Sequence, residues 1–290
     1  MKYRVLHRTS YSYSEPVSLC HNEVHVTPRS FLTQQCLSHA LTITPHPNTI
    51  QERGDFFGNT TAFFSVLDDH EHLEVRAESE VEVKAPATPI PELTPAWESA
   101  RDTLKGHDVQ RHFDALQYLY DSKYVKAHPD LAAWATLSFT PERPLLVALI
   151  DLTRRIFTEF KYDSRATSLS TPVMEVFEKR RGVCQDFAHL QMSMLRSLGL
   201  AARYVSGYLL TLPAPGKERL IGADASHAWL SVYCPGFGWI DVDPTNNQIP
   251  SDKHILVAWG RDYADISPVK GVILGGGKST MHVSVDVSAV

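Results

Sequence analysis

Residues 180–200, "RRGVCQDFAHLQMSMLRSLGL", set a cysteine between a glycine and the first turn of an apolar helix. Phe187, Leu190, Met194, Leu195 and Leu198 define its buried face, and Gly199 is a C-terminal stop signal. Cys184 therefore stands where unpaired backbone N–H groups and the positive end of the helix dipole favour a thiolate. Free cysteine is also among the most buried residue types, so this placement alone leaves nucleophile and packing residue evenly matched. A nucleophile needs a base and an orienting acid. Residues 226–246, "SHAWLSVYCPGFGWIDVDPTN", read as two strands around a Pro-Gly-Phe-Gly turn. A turn centred between positions 235 and 236.5 sets His227 opposite one of residues 243–246, a window that includes Asp243. Facing residues lie ~4.5–5.5 Å apart at Cα, close enough for a carboxylate to bond an imidazole.

Outward from these two blocks, the chain changes period. Residues 1–84 alternate as strands do: in "HLEVRAESEVEVK", Leu73, Val75, Ala77, Val81 and Val83 share one parity. "YRVLHRTSYSY", "EVHVTP", "LTITP" and "TAFFSVL" add further short strands, which predicts an antiparallel sandwich-like unit. A proline-rich stretch at 85–94 reads as an extended linker. Residues 95–290 then carry helices followed by strands. Leu145, Leu149, Leu152, Ile156 and Phe160 mark one amphipathic helix, and "STPVMEVFEKRRG" a second one that ends at Gly182. The expected fold is α+β.

The 290 residues are 43% hydrophobic and 21% charged, with a net charge of −5, which gives no electrostatic basis for nucleic acid as a partner. No window approaches the ~18 apolar residues of a membrane span, and the start has no signal-peptide core. Four cysteines without CxxC spacing support neither a zinc knuckle nor a disulfide framework, and reduced thiols in a cytoplasmic protein are expected.

Together "RRGVCQDFAHL", "ARYVSGY", "SHAWLSVYCPGFGWIDVDPTN" and "GRDYADISPVKG" resemble the bacterial transglutaminase-like superfamily, whose members are often described as candidate cysteine proteases. The first 84 residues resemble the β-rich N-terminal region found in many of them. The resemblance implies a papain-like core of helices on an antiparallel sheet, with catalytic Cys184, His227 and Asp243. It implies thioester chemistry on a peptide, protein or other amide-containing substrate, ending in hydrolysis or transamidation, with no cofactor. A catalytically silent peptide-binding module is the alternative.

Tyr162, Gln185 and Trp229 are candidate oxyanion or groove contacts, each balanced against an ordinary packing role. Asp186 on the first helical turn reads as a helix-end support. His21, Glu23 and His25 share a strand face, which is expected to be a polar face and not a metal site. His189 is off the face of Cys184, and "LGGGK" near the C-terminus reads as a turn. No metal is expected.

Overall fold

A computed structural model describes residues 1–105, 112–211 and 226–290. Its N-terminal sheet is built around one strand, β1 (Lys2–Val24), where the sequence suggests two shorter ones. The chain passes Ser14–Pro16 without turning back, and shifts in register near Val17 absorb the irregularity. β2 (Gln34–Thr44), β3 (Thr49–Gly54), β4 (Thr60–Val66) and β5 (His70–Val83) follow, in the order β2-β5-β1-β4-β3.

Alternation along β5 does what the pattern predicts, burying Leu73, Val75, Ala77, Val81 and Val83. The two halves of β1 nonetheless serve different cores. Tyr3 and Val5 join a large core shared with the helices, whereas Tyr13, Val17, Cys20 and Val24 close a smaller one inside the curled sheet.

Six α-helices follow among the described residues: α1 (Trp97–Thr103), α2 (Phe113–Leu116), α3 (Pro129–Thr136), α4 (Leu145–Glu159), α5 (Val173–Lys179) and α6 (Cys184–Ser197). The linker is docked as well as extended. Pro95 O accepts from Leu145 N at 2.9 Å and Thr94 Oγ1 from Leu146 N at 3.1 Å, capping the start of α4. Two-residue strands β6 (Lys161–Tyr162) and β7 (Arg181–Gly182) pair in parallel just ahead of α6.

α6 lies on a second antiparallel sheet of β8 (Ala202–Leu209), β9 (Ser226–Cys234), β10 (Gly238–Val242) and β11 (His254–Gly260), ordered β10-β9-β8-β11. Ala228, Leu230 and Val232 face the shared core with Leu190, Met194 and Leu195. Each such side chain stabilises the fold by roughly 1.5–3 kcal/mol.

The chain then returns to the first sheet. β12 (Val269–Gly275) and β13 (Ser279–Ala289) pair with β1 along the edge opposite β4 and β5. A second unit running unbroken to residue 290 is therefore corrected: residues 269–289 belong to the N-terminal sheet. A 23-residue strand would otherwise expose a long unpaired edge, and the buried Val285 and Val287 of β13 cover it. The three glycines of "LGGGK" all take positive φ and form the turn between these strands.

Candidate active site

Cys184 is the first residue of α6 and is half-buried. α5 stops earlier than the sequence suggests, because Arg180 takes the left-handed conformation and the chain enters β7. Gly182 has a different role from the expected helix stop. A Cβ there would lie 2.8 Å from the Asp186 side chain, which folds back over it. Asp186 Oδ2 accepts from Val183 N at 2.8 Å and from Thr167 Oγ1 at 2.6 Å, pinning the turn that presents the cysteine. Burial raises the Asp186 carboxyl while these two bonds pull it down, and the net shift is upward. At the far end of α6, Gly199 takes φ +80° and ends the helix as expected.

His227 lies on β9 opposite Gly207 of β8. The β9–β10 pairing runs from Cys234 with Gly238 to Leu230 with Val242 and then stops. Carried further, that register would set His227 against Thr245. Asp243 instead leaves the ladder, bridges to Gln248 through both backbone groups, and reaches His227 diagonally. Its Oδ2 accepts from His227 Nε2 at 2.7 Å. The other ring nitrogen, Nδ1, is not engaged by Asp243, and the neighbouring Cys184 joins Asp243 in favouring the charged form of His227. Burial alone would lower the His227 pKa, but Asp243 and Cys184 outweigh it and raise it to about 10. Asp243 is wholly buried, which favours its neutral form, yet bonds from His227 and His254 hold it far below the usual carboxylate range.

Asp243 is saturated with donors. Oδ1 takes the backbone N–H groups of Thr245 (2.9 Å) and Asn246 (3.2 Å), and Oδ2 also takes Asn246 Nδ2 at 2.7 Å. His254 Nε2 approaches the same oxygen at 3.3 Å. The sequence reading missed both residues. Asn246 was recoverable from the Asp-Pro-Thr-Asn turn, because an aspartate at a turn start binds the N–H groups two and three residues on. His254 had no such signal, as only the packing of β11 brings it here. The ligating atoms of His227, Asp243 and His254 lie within 4.8 Å of one another, and as they stand they satisfy each other through hydrogen bonds.

The remaining candidates separate. Tyr162 pairs with Gly182 and is half-exposed; burial and the neighbouring Cys184 both raise its hydroxyl pKa. Gln185 is half-buried on the first turn of α6. Trp229 backs His227, with ring centroids 5.9 Å apart, and donates Nε1 to Asp241 at 2.9 Å. His21, Glu23 and His25 do not converge on a common point. His21 bonds Ser65 Oγ, Glu23 pairs with Lys270 at 3.1 Å, and His25 Nε2 lies 3.4 Å from Asp55 and 3.7 Å from Glu23.

The site thus sets a half-buried cysteine at a helix start near a strand histidine held by a buried aspartate, on a papain-like α+β core. Residues 3–82 match the bacterial transglutaminase-like N-terminal region, and residues 135–244 match the transglutaminase-like superfamily. The chain belongs to that superfamily.

An uncharacterized protein of Mycobacterium tuberculosis is 43% identical over 295 residues, spanning 99% of this chain and 92% of its own. A crystal structure of "a Putative Cysteine Protease from Cytophaga hutchinsonii" superposes with a TM-score of 0.74 at 21% identity, covering 100% of this chain and 91% of that one. The protein-glutamine gamma-glutamyltransferase of Pseudomonas aeruginosa is 36% identical over 76 residues, which is 26% of this chain and 11% of that protein. Among the described residues, no helix is long and apolar enough to cross a membrane.

Proposed function

We propose that this chain is a thiol-dependent acyl-transfer enzyme acting on amide bonds, with Cys184 as nucleophile, His227 as proton carrier and Asp243 as the orienting acid. The single observation behind it is the 2.7 Å bond from His227 Nε2 to Asp243, which leaves Nδ1 for Cys184. The Cys184 proton passes to His227, and the sulfur adds to the amide carbonyl. His227 then protonates the leaving amine as the C–N bond breaks and a thioester forms. In this reading backbone N–H groups of the first α6 turn hold the oxyanion, with the Tyr162 hydroxyl as a further donor. Water or a second amine then takes the acyl group, with His227 accepting its proton.

The Pseudomonas relative's name makes glutamine side chains a rational first donor to try. The substrate is a peptide, protein or other amide-bearing molecule, and no nucleic acid or membrane partner is invoked. Four free thiols fit residence in a reducing cytoplasm.

The test is brief iodoacetamide labelling with peptide mapping. Burial raises the thiol pKa of Cys20, Cys36 and Cys234, the last to about 11, so Cys184 should label first. His227→Ala should slow that labelling by roughly tenfold or more. Glutamine peptides and peptidoglycan fragments, incubated with and without an added amine and followed by mass spectrometry, then separate hydrolysis from transamidation. Equal labelling of all four thiols in folded protein, or no effect of His227→Ala, would leave a silent binding module as the better reading.

A further inference from the structure

Behind the sheet that carries His227, a cavity of about 300 Å³ separates the strands from the N-terminal region and the linker. Among its described lining residues are neither Cys184 nor His227 nor Asp243. One wall is aromatic, with Trp229, Trp239, Trp259 and Phe237; the linker closes another side at Lys84–Pro89.

Arg203 of β8 lines this space with only 8% of its surface exposed. Its guanidinium lies over the Trp259 ring at 3.8 Å and the Trp239 ring at 4.3 Å. Nε is buried with no hydrogen-bond partner. A buried arginine normally satisfies its fork of donors with carboxylates or carbonyls. The nearby acid, Asp241, already accepts from Trp229 Nε1 and Ser231 Oγ. His254 adds a second unpartnered atom to the same wall, Nδ1. Charged groups around the cavity are Arg203, Lys84 and Asp241, a net of one positive charge. Its volume falls at the lower end of the ~300–1,000 Å³ typical of small-molecule sites.

We infer that this cavity is a second ligand site, which takes a small monocarboxylate with a flat apolar body, its carboxylate on Arg203 and its body among the three tryptophans. The planar guanidinium is stacked and immobilised in advance, so little ordering cost remains when two parallel N–H···O bonds form. Burial lowers the Arg203 pKa to about 10, with Asp241 partly offsetting it, and a bound carboxylate would oppose that shift. This site goes beyond the acyl-transfer reading and does not depend on it.

Benzoate is a suitable probe, with benzamide as its uncharged isostere. In ¹⁵N NMR of the whole wild-type chain, saturating benzoate should shift the indole N–H signals of Trp229, Trp239 and Trp259. Trp97 and Trp134, which lie outside the cavity lining, should stay in place. Calorimetry should give benzamide and the Arg203→Met variant affinities at least about tenfold weaker, the value of a charged hydrogen bond. No saturable shift by about 20 mM benzoate, a weak affinity by the ~4 kcal/mol millimolar standard, would overturn the inference. Equal affinity for benzamide, shifts at Trp97 and Trp134 instead, or undiminished binding by folded Arg203→Met would do the same. If Arg203→Met fails to fold, the wild-type comparison of benzoate with benzamide decides alone.

Discussion

Asp243, just past the end of β10, and Arg203, on β8, are both buried charges beside the same four-stranded sheet, and their surroundings are opposites. Asp243 receives bonds from two backbone N–H groups, an asparagine amide and two imidazoles. Arg203 is gripped by two indole faces, and its buried Nε has no hydrogen-bond partner. Removing a charge from water costs several kcal/mol, and hydrogen bonds are the usual compensation. The saturated charge is fixed in one geometry, as an acid that orients a histidine must be. The stacked one is fixed in position but retains bonding capacity.

The largest effect that would sharpen this contrast comes from Asp243→Leu. It strands His227 and His254 in a buried site, and urea unfolding should show a loss of about 3–5 kcal/mol. A loss below about 1 kcal/mol would mean that the donors around Asp243 find other partners and that its saturation is incidental.

Asp243→Asn keeps the shape and removes the charge. The same exchange in a Ser-His-Asp protease costs roughly 10⁴ in kcat by favouring the wrong tautomer. A thiol enzyme depends less on its acid, so Cys184 alkylation and turnover should fall by about 10–10³. An unchanged alkylation rate would detach Asp243 from the reaction and leave it a purely structural acid.

The pH dependence of stability tests the same pair. The His227 pKa is raised in the folded state to about 10, so its contribution is complete below about pH 6.5 and is lost as pH rises through 10. The Asp243 pKa is depressed, so its contribution is present above about pH 4 and is lost as pH falls through its folded value. Thermal melts of wild type and Asp243→Asn should therefore differ most between about pH 4 and 6.5 and converge towards pH 10. A gap that widens with rising pH would contradict the charge assignment.

The smallest effect is expected from Arg203→Met. Replacing a buried charge by an apolar side chain of similar length is often neutral or mildly stabilising. Lost stacking on two indoles works against that gain, at about 0.5–2 kcal/mol. A net change within about 1 kcal/mol in either direction is expected by urea unfolding. A loss as large as that of Asp243→Leu would show that Arg203 is a structural charge with partners of its own, and the contrast would break.

Local chemistry alone carried a good deal of this. The start of α6 at Cys184 and its end at Gly199 follow from helix periodicity and a residue that tolerates positive φ. The closeness of His227 and Asp243 follows from hairpin register, which a short turn keeps local even though the contact proves diagonal. Longer-range matters required the tertiary structure. The sequence shows alternation in "HVSVDVSAV" but not that β13 pairs with β1, because alternation sets a strand's buried face and leaves its partner open. His254 joins Asp243 through the packing of β11, and Arg203 stacks between Trp239 and Trp259 from a strand remote in the chain. Periodicity and turn chemistry act over a few residues. Which buried charge is saturated and which is left with a free donor depends on what the folded chain brings against it.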